Sequence, residues 1–211
     1  MSCVTRLNRL LPLVAIGTVA DCQSILEPTN RLLVKAGLKI LASGNHGIIG
    51  LSELMSQTGL SSKIQSGLRL SSQDIAFTLS PILNSSGRMS HAYKSIASLL
   101  GTQDLTNLPF AHSDYQVHNT IEYYVSDLIE TNQARKAEVK SILEDLEQEA
   151  MQQVLNKSPM IWIESSISKG IIGLIASRLV SQYHIPTIII SSKPSLTQAE
   201  KDEILKLIKI D

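Results

Sequence analysis

Apolar residues recur along the chain in two rhythms, and the change from one to the other divides it into three stretches. Residues 13–19 (LVAIGTV) form a short run of apolar and small side chains bounded by Pro12 and Asp21, a pattern consistent with a buried strand. Residues 30–42 (NRLLVKAGLKILA) follow Pro28 with apolar positions at helical spacing and Lys35 and Lys39 on the other side. This predicts a helix with Asn30 as its N-cap. Residues 51–55 and 75–79 read as further helix cores, separated by the polar stretch TGLSSKIQSG, which reads as a loop. Residues 90–100 (SHAYKSIASLL) predict another short amphipathic helix.

From 114 to 156 the chain has neither proline nor glycine. Val117, Ile121, Val125, Leu128, Val139, Ile142, Leu146 and Ala150 mark one stripe, which predicts a single long amphipathic helix. At about 1.5 Å per residue it would reach roughly 60 Å, longer than a compact domain of this size needs. The stripe breaks at 132–136 (NQARK), which predicts a contact with something other than a hydrophobic core. Residues 114–157 carry nine acidic and four basic side chains, the composition of a solvated connector, and leave the rest of the chain with a net +5. Beyond Pro159 the pattern becomes strand (160–163, MIWI), helix (170–183) and β-branched strand (186–191, PTIIIS). Such a βαβ unit implies a parallel sheet. Residues 197–210 predict a last helix, with Thr197 as N-cap and Glu200 at the capping-box position.

Composition narrows the field. A chain of 211 residues makes one large or two small domains. Basic and acidic residues balance at 19 each, so no global field recruits nucleic acid or a membrane. Aromatics, at 4 %, offer no obvious platform for stacking bases. Cys3 and Cys22 make neither a metal spacing nor a disulfide framework, which favours a reducing compartment. Arg6 and Arg9 ahead of residues 10–16, with Thr18-Val19-Ala20 behind, make a weak match to a secretory leader, broken by Pro12 and Gly17. No later stretch is long enough to span a membrane.

Three features could carry chemistry. Asp21, at the end of the apolar run, is either a solvated loop carboxylate or a ligand for a hard divalent cation. SPILNSSGRMS (80–90) reads as a compact polar turn. Its backbone N–H groups and Arg88 could hold a phosphate, or Gly87 could cap a helix in the left-handed region. SKGIIGLIASRLVSQYHIP (168–186) places Gly170 and Gly173 at a helix start, suited to an anion or to tight helix–sheet packing. The five histidines form no pair at metal spacing.

In order along the chain, GTVAD, LNSSGRM, NQARK and GIIGLIASRL resemble the RecJ-type single-strand-specific exonucleases of the DHH phosphoesterase superfamily, over about 13–191. The resemblance implies an α/β protein in three parts: the helix-rich C-terminal portion of a DHH parallel-sheet core (1–113), a connector helix (114–157) and a partial DHH-associated substrate-binding domain (158–211). It implies a cytoplasmic hydrolase that degrades single-stranded DNA 5′→3′ in repair and recombination, with manganese or magnesium activating water. By the same resemblance Asp21 is a metal ligand. Asn84, Gly87 and Arg88 lie beside the cleft, with Arg88 on a phosphate, and Arg135, Lys136, Gly170 and Arg178 belong to the DNA-binding surface.

Several of the family's segments do not occur in the chain: the upstream Asp-x-Asp, the Asp-His-His motif, and the downstream glycine-serine-arginine and Gly-Gly-His segments. Ser168-Lys169 stands where the family commonly has a histidine, and the text after Ser192 reads as a replaced or frameshifted tail. One aspartate cannot hold two metals. The expectation is therefore a fragment without hydrolytic activity of its own, its missing half absent or separately encoded. The competing expectation is a non-catalytic scaffold in a replication or repair assembly.

Overall fold

The computed structural model describes residues 3–100 and 121–191, which divide into two compact units, 1–133 and 134–211. The expected helix at 197–210 lies outside the described residues.

The first unit is helical among its described residues. Helix α1 (Cys3–Ala20) takes in the whole run 13–19, which was expected to be a strand. The reason is visible in its burial: Pro12, Ala15 and Ile16 are buried and Val19 half-buried, while Val14 and Gly17 are exposed. That is a three-and-four spacing, hidden in the sequence because apolar residues occupy both faces of the helix. Helix α2 (Pro28–Ser43) starts one turn earlier than expected. Pro28 takes the first helical position, where its missing N–H is no loss, and Glu27 is the N-cap. Asn30 sits inside the first turn and donates to Ser24 O at 3.1 Å. Gly44, at φ 70°, ends α2 with its N–H on Leu41 O.

Helices α3 (Ile49–Gln57) and α4 (Leu60–Gln65) follow, joined through Gly59 at φ 78°. The stretch expected to be a loop thus contains α4, which buries Leu60 and half-buries Ile64. Here a serine-rich composition concealed a helix anchored by two apolar residues at i and i+4. The next run comprises α5 (Ser72–Asp74), a π-helical turn (Ile75–Leu79) and α6 (Ser80–Leu83). Pro81 lacks the N–H that would bond Phe77 O, and the helix widens just before it, with Ser80 N–H reaching Ile75 O. Helices α7 (Ser85–Met89) and α8 (Tyr93–Leu100) complete the series, the latter near its expected place.

Long helix α9 (Ile121–Leu155) contributes 121–133 to the first unit and 134–155 to the second. Val125 and Leu128 join Ile16, Leu41, Leu51, Leu54, Ile75 and Leu79 in one core. Lys94 pairs with Asp127 at 2.7 Å and Ser126 donates to Gln57 at 3.2 Å, tying α9 to α8 and α3 at the half-exposed rim.

The second unit is the expected βαβ. Strands β1 (Ile161–Ser165) and β2 (Thr187–Ser191) pair in parallel, Ile161 opposite Thr187 and Ser165 opposite Ser191, with α10 (Ile172–Tyr183) crossing between them. Ile161, Ile163, Ile171, Ile175 and Leu179 are among its buried apolar residues. The open edge of β1 is satisfied by one side chain of α9. Gln153 accepts from Trp162 N–H at 2.7 Å and donates to Trp162 O at 2.8 Å, copying a neighbouring strand. Among the described residues no helix is long and apolar enough to cross a membrane.

Two titratable groups couple the first unit to pH. His46 is 1 % exposed, and burial pushes its imidazole below its ordinary value. Burial alone would raise the Asp74 carboxyl. The hydrogen bonds from Lys63 (2.6 Å) and from Ser71 N–H (2.7 Å) outweigh that and hold it below the usual carboxylate range. In both cases the unfolded chain binds the proton more tightly, so stability falls as pH falls. The His46 contribution is expected to fade as pH drops below about 6.5, the ordinary imidazole value. The Asp74 contribution is lost only below the usual carboxylate range. Urea midpoints measured from pH 8 to 3 should step down twice, and His46→Gln should remove the upper step alone.

Candidate nucleic-acid interface

Asp21 is exposed in the turn that ends α1. Its N–H bonds Gly17 O at 2.9 Å, its carbonyl accepts from Gln23 Nε2 at 3.3 Å, and Cys22 reverses the chain at φ 53°. It therefore closes a helix, not a strand as expected. Among the described residues no three His, Cys, Asp or Glu side chains come close enough to hold a metal ion. One exposed carboxylate does not fit a two-metal centre.

The segment 80–90 also departs from its expected form. It is two short helices, α6 and α7, with Asn84 exposed at their junction. Gly87 is helical, not left-handed, and its missing Cβ would lie 3.6 Å from Ala92 Cβ, an ordinary contact. The serines that made the sequence look like a ligand cradle face inward. Ser85 Oγ donates to Ile82 O at 2.6 Å, and Ser86 Oγ meets Ser95 Oγ at 2.7 Å. Ser95 Oγ in turn donates to Leu83 O at 2.5 Å, so the hydroxyls join α6, α7 and α8. With its backbone N–H groups inside helices, this segment is not the open phosphate nest expected from its composition. Arg88 is half-buried beside it.

The second unit brings sequence-distant cations together. Arg135, Lys136 and Lys140 of α9 and Arg178 of α10 line one groove of about 630 Å³. Its floor is apolar, with Val139, Leu143, Leu174 and Leu179, and Glu144 and Glu147 lie farther along α9. Lys136 and Arg178 are exposed and Arg135 is half-buried. Lys140 escaped the sequence reading although its signal was present, because it follows Lys136 by one helical turn on the same face. Gly170 does not line this groove; its N–H approaches Ser168 Oγ at 3.4 Å in the loop before α10. Asn132, at 4 % exposure, is buried. The break in the apolar stripe thus comprises an inward amide followed by outward cations. A groove of this kind can receive a polyanion with an apolar component, as a single strand with phosphates and bases is.

A mainly helical α/β protein with a small parallel sheet, a long helix and a cationic groove is the class that fold and site define. No family model matches the chain. The chain is similar in sequence to curated RecJ exonucleases. It is 25 % identical over 183 residues to the single-stranded-DNA-specific exonuclease RecJ of Bacillus subtilis, covering 87 % of this chain and 20 % of that protein. It is 30 % identical to the RecJ of Salmonella typhimurium, covering 86 % and 29 %. The crystal structure of Thermus thermophilus RecJ in complex with Mn2+ matches with a TM-score of 0.65 at 22 % identity, over 87 % of this chain and 24 % of that one. A second structure of that protein, in complex with Mg2+, matches at 0.66. The chain therefore spans between a fifth and a third of the length of these curated relatives.

Proposed function

We propose that the chain is the DNA-gripping part of a RecJ-type, metal-dependent, single-strand-specific exonuclease. In this reading it serves DNA repair and recombination in the cytoplasm, with digestion running 5′→3′. Residues 1–113 belong to the catalytic core, 114–157 connect, and 158–211 belong to the associated domain. The observation that carries the reading is the likeness to RecJ proteins, in sequence and in fold, along 86–87 % of the chain. The convergence of Arg135, Lys136 and Arg178 on one groove supports it.

Manganese or magnesium would be held by Asp21 together with ligands from an Asp-His-His segment outside residues 1–211. Asp21 alone supplies too few donors, so the purified chain is not expected to hydrolyse DNA. The test mixes it with single-stranded and duplex oligonucleotides, with and without manganese. Salt-sensitive binding that prefers the single strand, without cleavage, is expected. Absence of single-strand binding sinks the reading. Turnover that Asp21→Ala abolishes would overturn the expected inactivity and establish Asp21 as a metal ligand in this chain.

A further inference from the structure

Phe77 is an aromatic side chain left in solvent. It is 78 % exposed, in a chain with only two phenylalanines and one tryptophan. It lies in the π-helical turn of a near-continuous helical run from Ser72 to Met89, made of α5, that turn, α6 and α7. Ile75, Leu79, Ile82 and Ser85 of the run are buried, while Gln73, Phe77, Asn84 and Gly87 are exposed on its outward face. At about 1.5 Å per residue, Asn84 lies roughly 10 Å beyond Phe77 along the run. The outward face thus carries one ring, with a carboxamide before it and another after it. Asp74, the sole acid of the run, is engaged by Lys63 at 2.6 Å. Residues 54–100 carry Lys63, Arg69, Arg88 and Lys94 against that one carboxylate, a surplus that suits a polyanion. Widened helical turns of this kind recur at functional sites.

These features separate two classes of occupant. A protein interface has a contiguous apolar core, of the kind that the exposed residues Leu7, Leu10 and Val14 of α1 would offer. Phe77 has no such company, because the other exposed side chains of its face are the amides of Gln73 and Asn84. A nucleobase matches that surface: its flat face stacks on an aromatic ring, and its edge bonds amide donors and acceptors. We infer that Phe77 is a stacking platform for one base of a single DNA strand, with Gln73 and Asn84 serving the base edge. The inference rests on the single-strand reading above and adds a contact in the first unit to the cationic groove of the second. It also supplies a source of selectivity. Phosphate contacts alone are shared by single strands and duplexes, whereas a stack on Phe77 needs a base face that a duplex keeps covered.

The test measures binding of three probes to the full chain and to its Phe77→Ala and Phe77→Trp variants: oligothymidylate, its duplex with oligoadenylate, and an abasic deoxyribose-phosphate strand of equal length. Phe77→Ala should weaken oligothymidylate binding at least about fivefold, the lower end of what one base–aromatic stack supplies. Binding of the duplex and of the abasic strand should not change, and neither should the salt slope, because no phosphate contact is lost. Phe77→Trp should keep the parent's affinity or raise it. Oligothymidylate binding unaltered in Phe77→Ala would overturn the proposal and leave the single-strand reading standing. Failure of the parent chain to bind oligothymidylate would overturn both. An equal loss on the abasic strand, or a loss in Phe77→Trp as large as in Phe77→Ala, would also overturn the proposal, since Phe77 would then act through the fold and not through a base.

Discussion

Gly50→Ala is expected to destabilise the first unit by about 3 kcal/mol or more, the upper end of what overpacking costs. Gly50 lies in the first turn of α3, and a Cβ there would meet the backbone of Ser98 in α8: 2.5 Å from its carbonyl carbon and closer still to its oxygen. Both obstructing atoms are main chain, so no rotamer change relieves the overlap and α8 itself must move. Ser98 is buried and its hydroxyl already donates to Ser95 O at 2.9 Å, within the serine network that joins α6, α7 and α8. Displacing α8 therefore disturbs those buried hydroxyls as well as the contact itself. Gly37→Ala should behave similarly, because its Cβ would fall 2.5 Å from Ala15 Cβ and against Leu11 O, separating α1 from α2. Gly17→Ala supplies a control of opposite sign. Gly17 is helical and exposed with nothing within 4 Å of its added Cβ, so alanine there should stabilise by roughly 0.5–1 kcal/mol. Urea unfolding of the three variants checks the ranking, and a Gly50→Ala midpoint close to the parent's would refute the close approach of α3 to α8.

What the sequence could and could not disclose follows from the reach of each signal. The βαβ was legible because each element is short, bounded by Pro159, Gly170 and Pro186, and rich in isoleucine where burial demands it. Helix α9 was legible because a stripe of period 3.6 over so many residues has no competing reading. Residues 13–19 were not, since an all-apolar run carries no period and its β-branched members favour the wrong state. The contact of Gly50 with Ser98 and the burial of His46 depend on helices meeting from distant parts of the chain, which no local pattern records. The groove lies between these extremes. Arg135 and Lys136 announced themselves by interrupting the stripe, whereas Lys140 and the partnership with Arg178 required α10 to be placed beside α9.

That partnership makes the second prediction specific. Lys136→Ala combined with Arg178→Ala should weaken binding of single-stranded DNA by at least about a hundredfold, since a hydrogen bond to a charged group contributes about 1.5–3 kcal/mol and two are removed. Both residues are exposed and belong to different helices, so the loss is not expected to come through unfolding. Arg135 is left untouched because it is half-buried and its removal would also change packing. The salt dependence distinguishes phosphate contact from other roles. Each lost contact to a single strand should lower the slope of log affinity against log salt by about 0.7, so the pair should lower it by about 1.4. Glu147→Gln, at the acidic stretch of the same groove, should move affinity the other way and leave the number of phosphate contacts unchanged. An unaltered salt slope in the double variant would mean that the strand does not run along α9 and α10. The polar break in the long helix would then need another ligand.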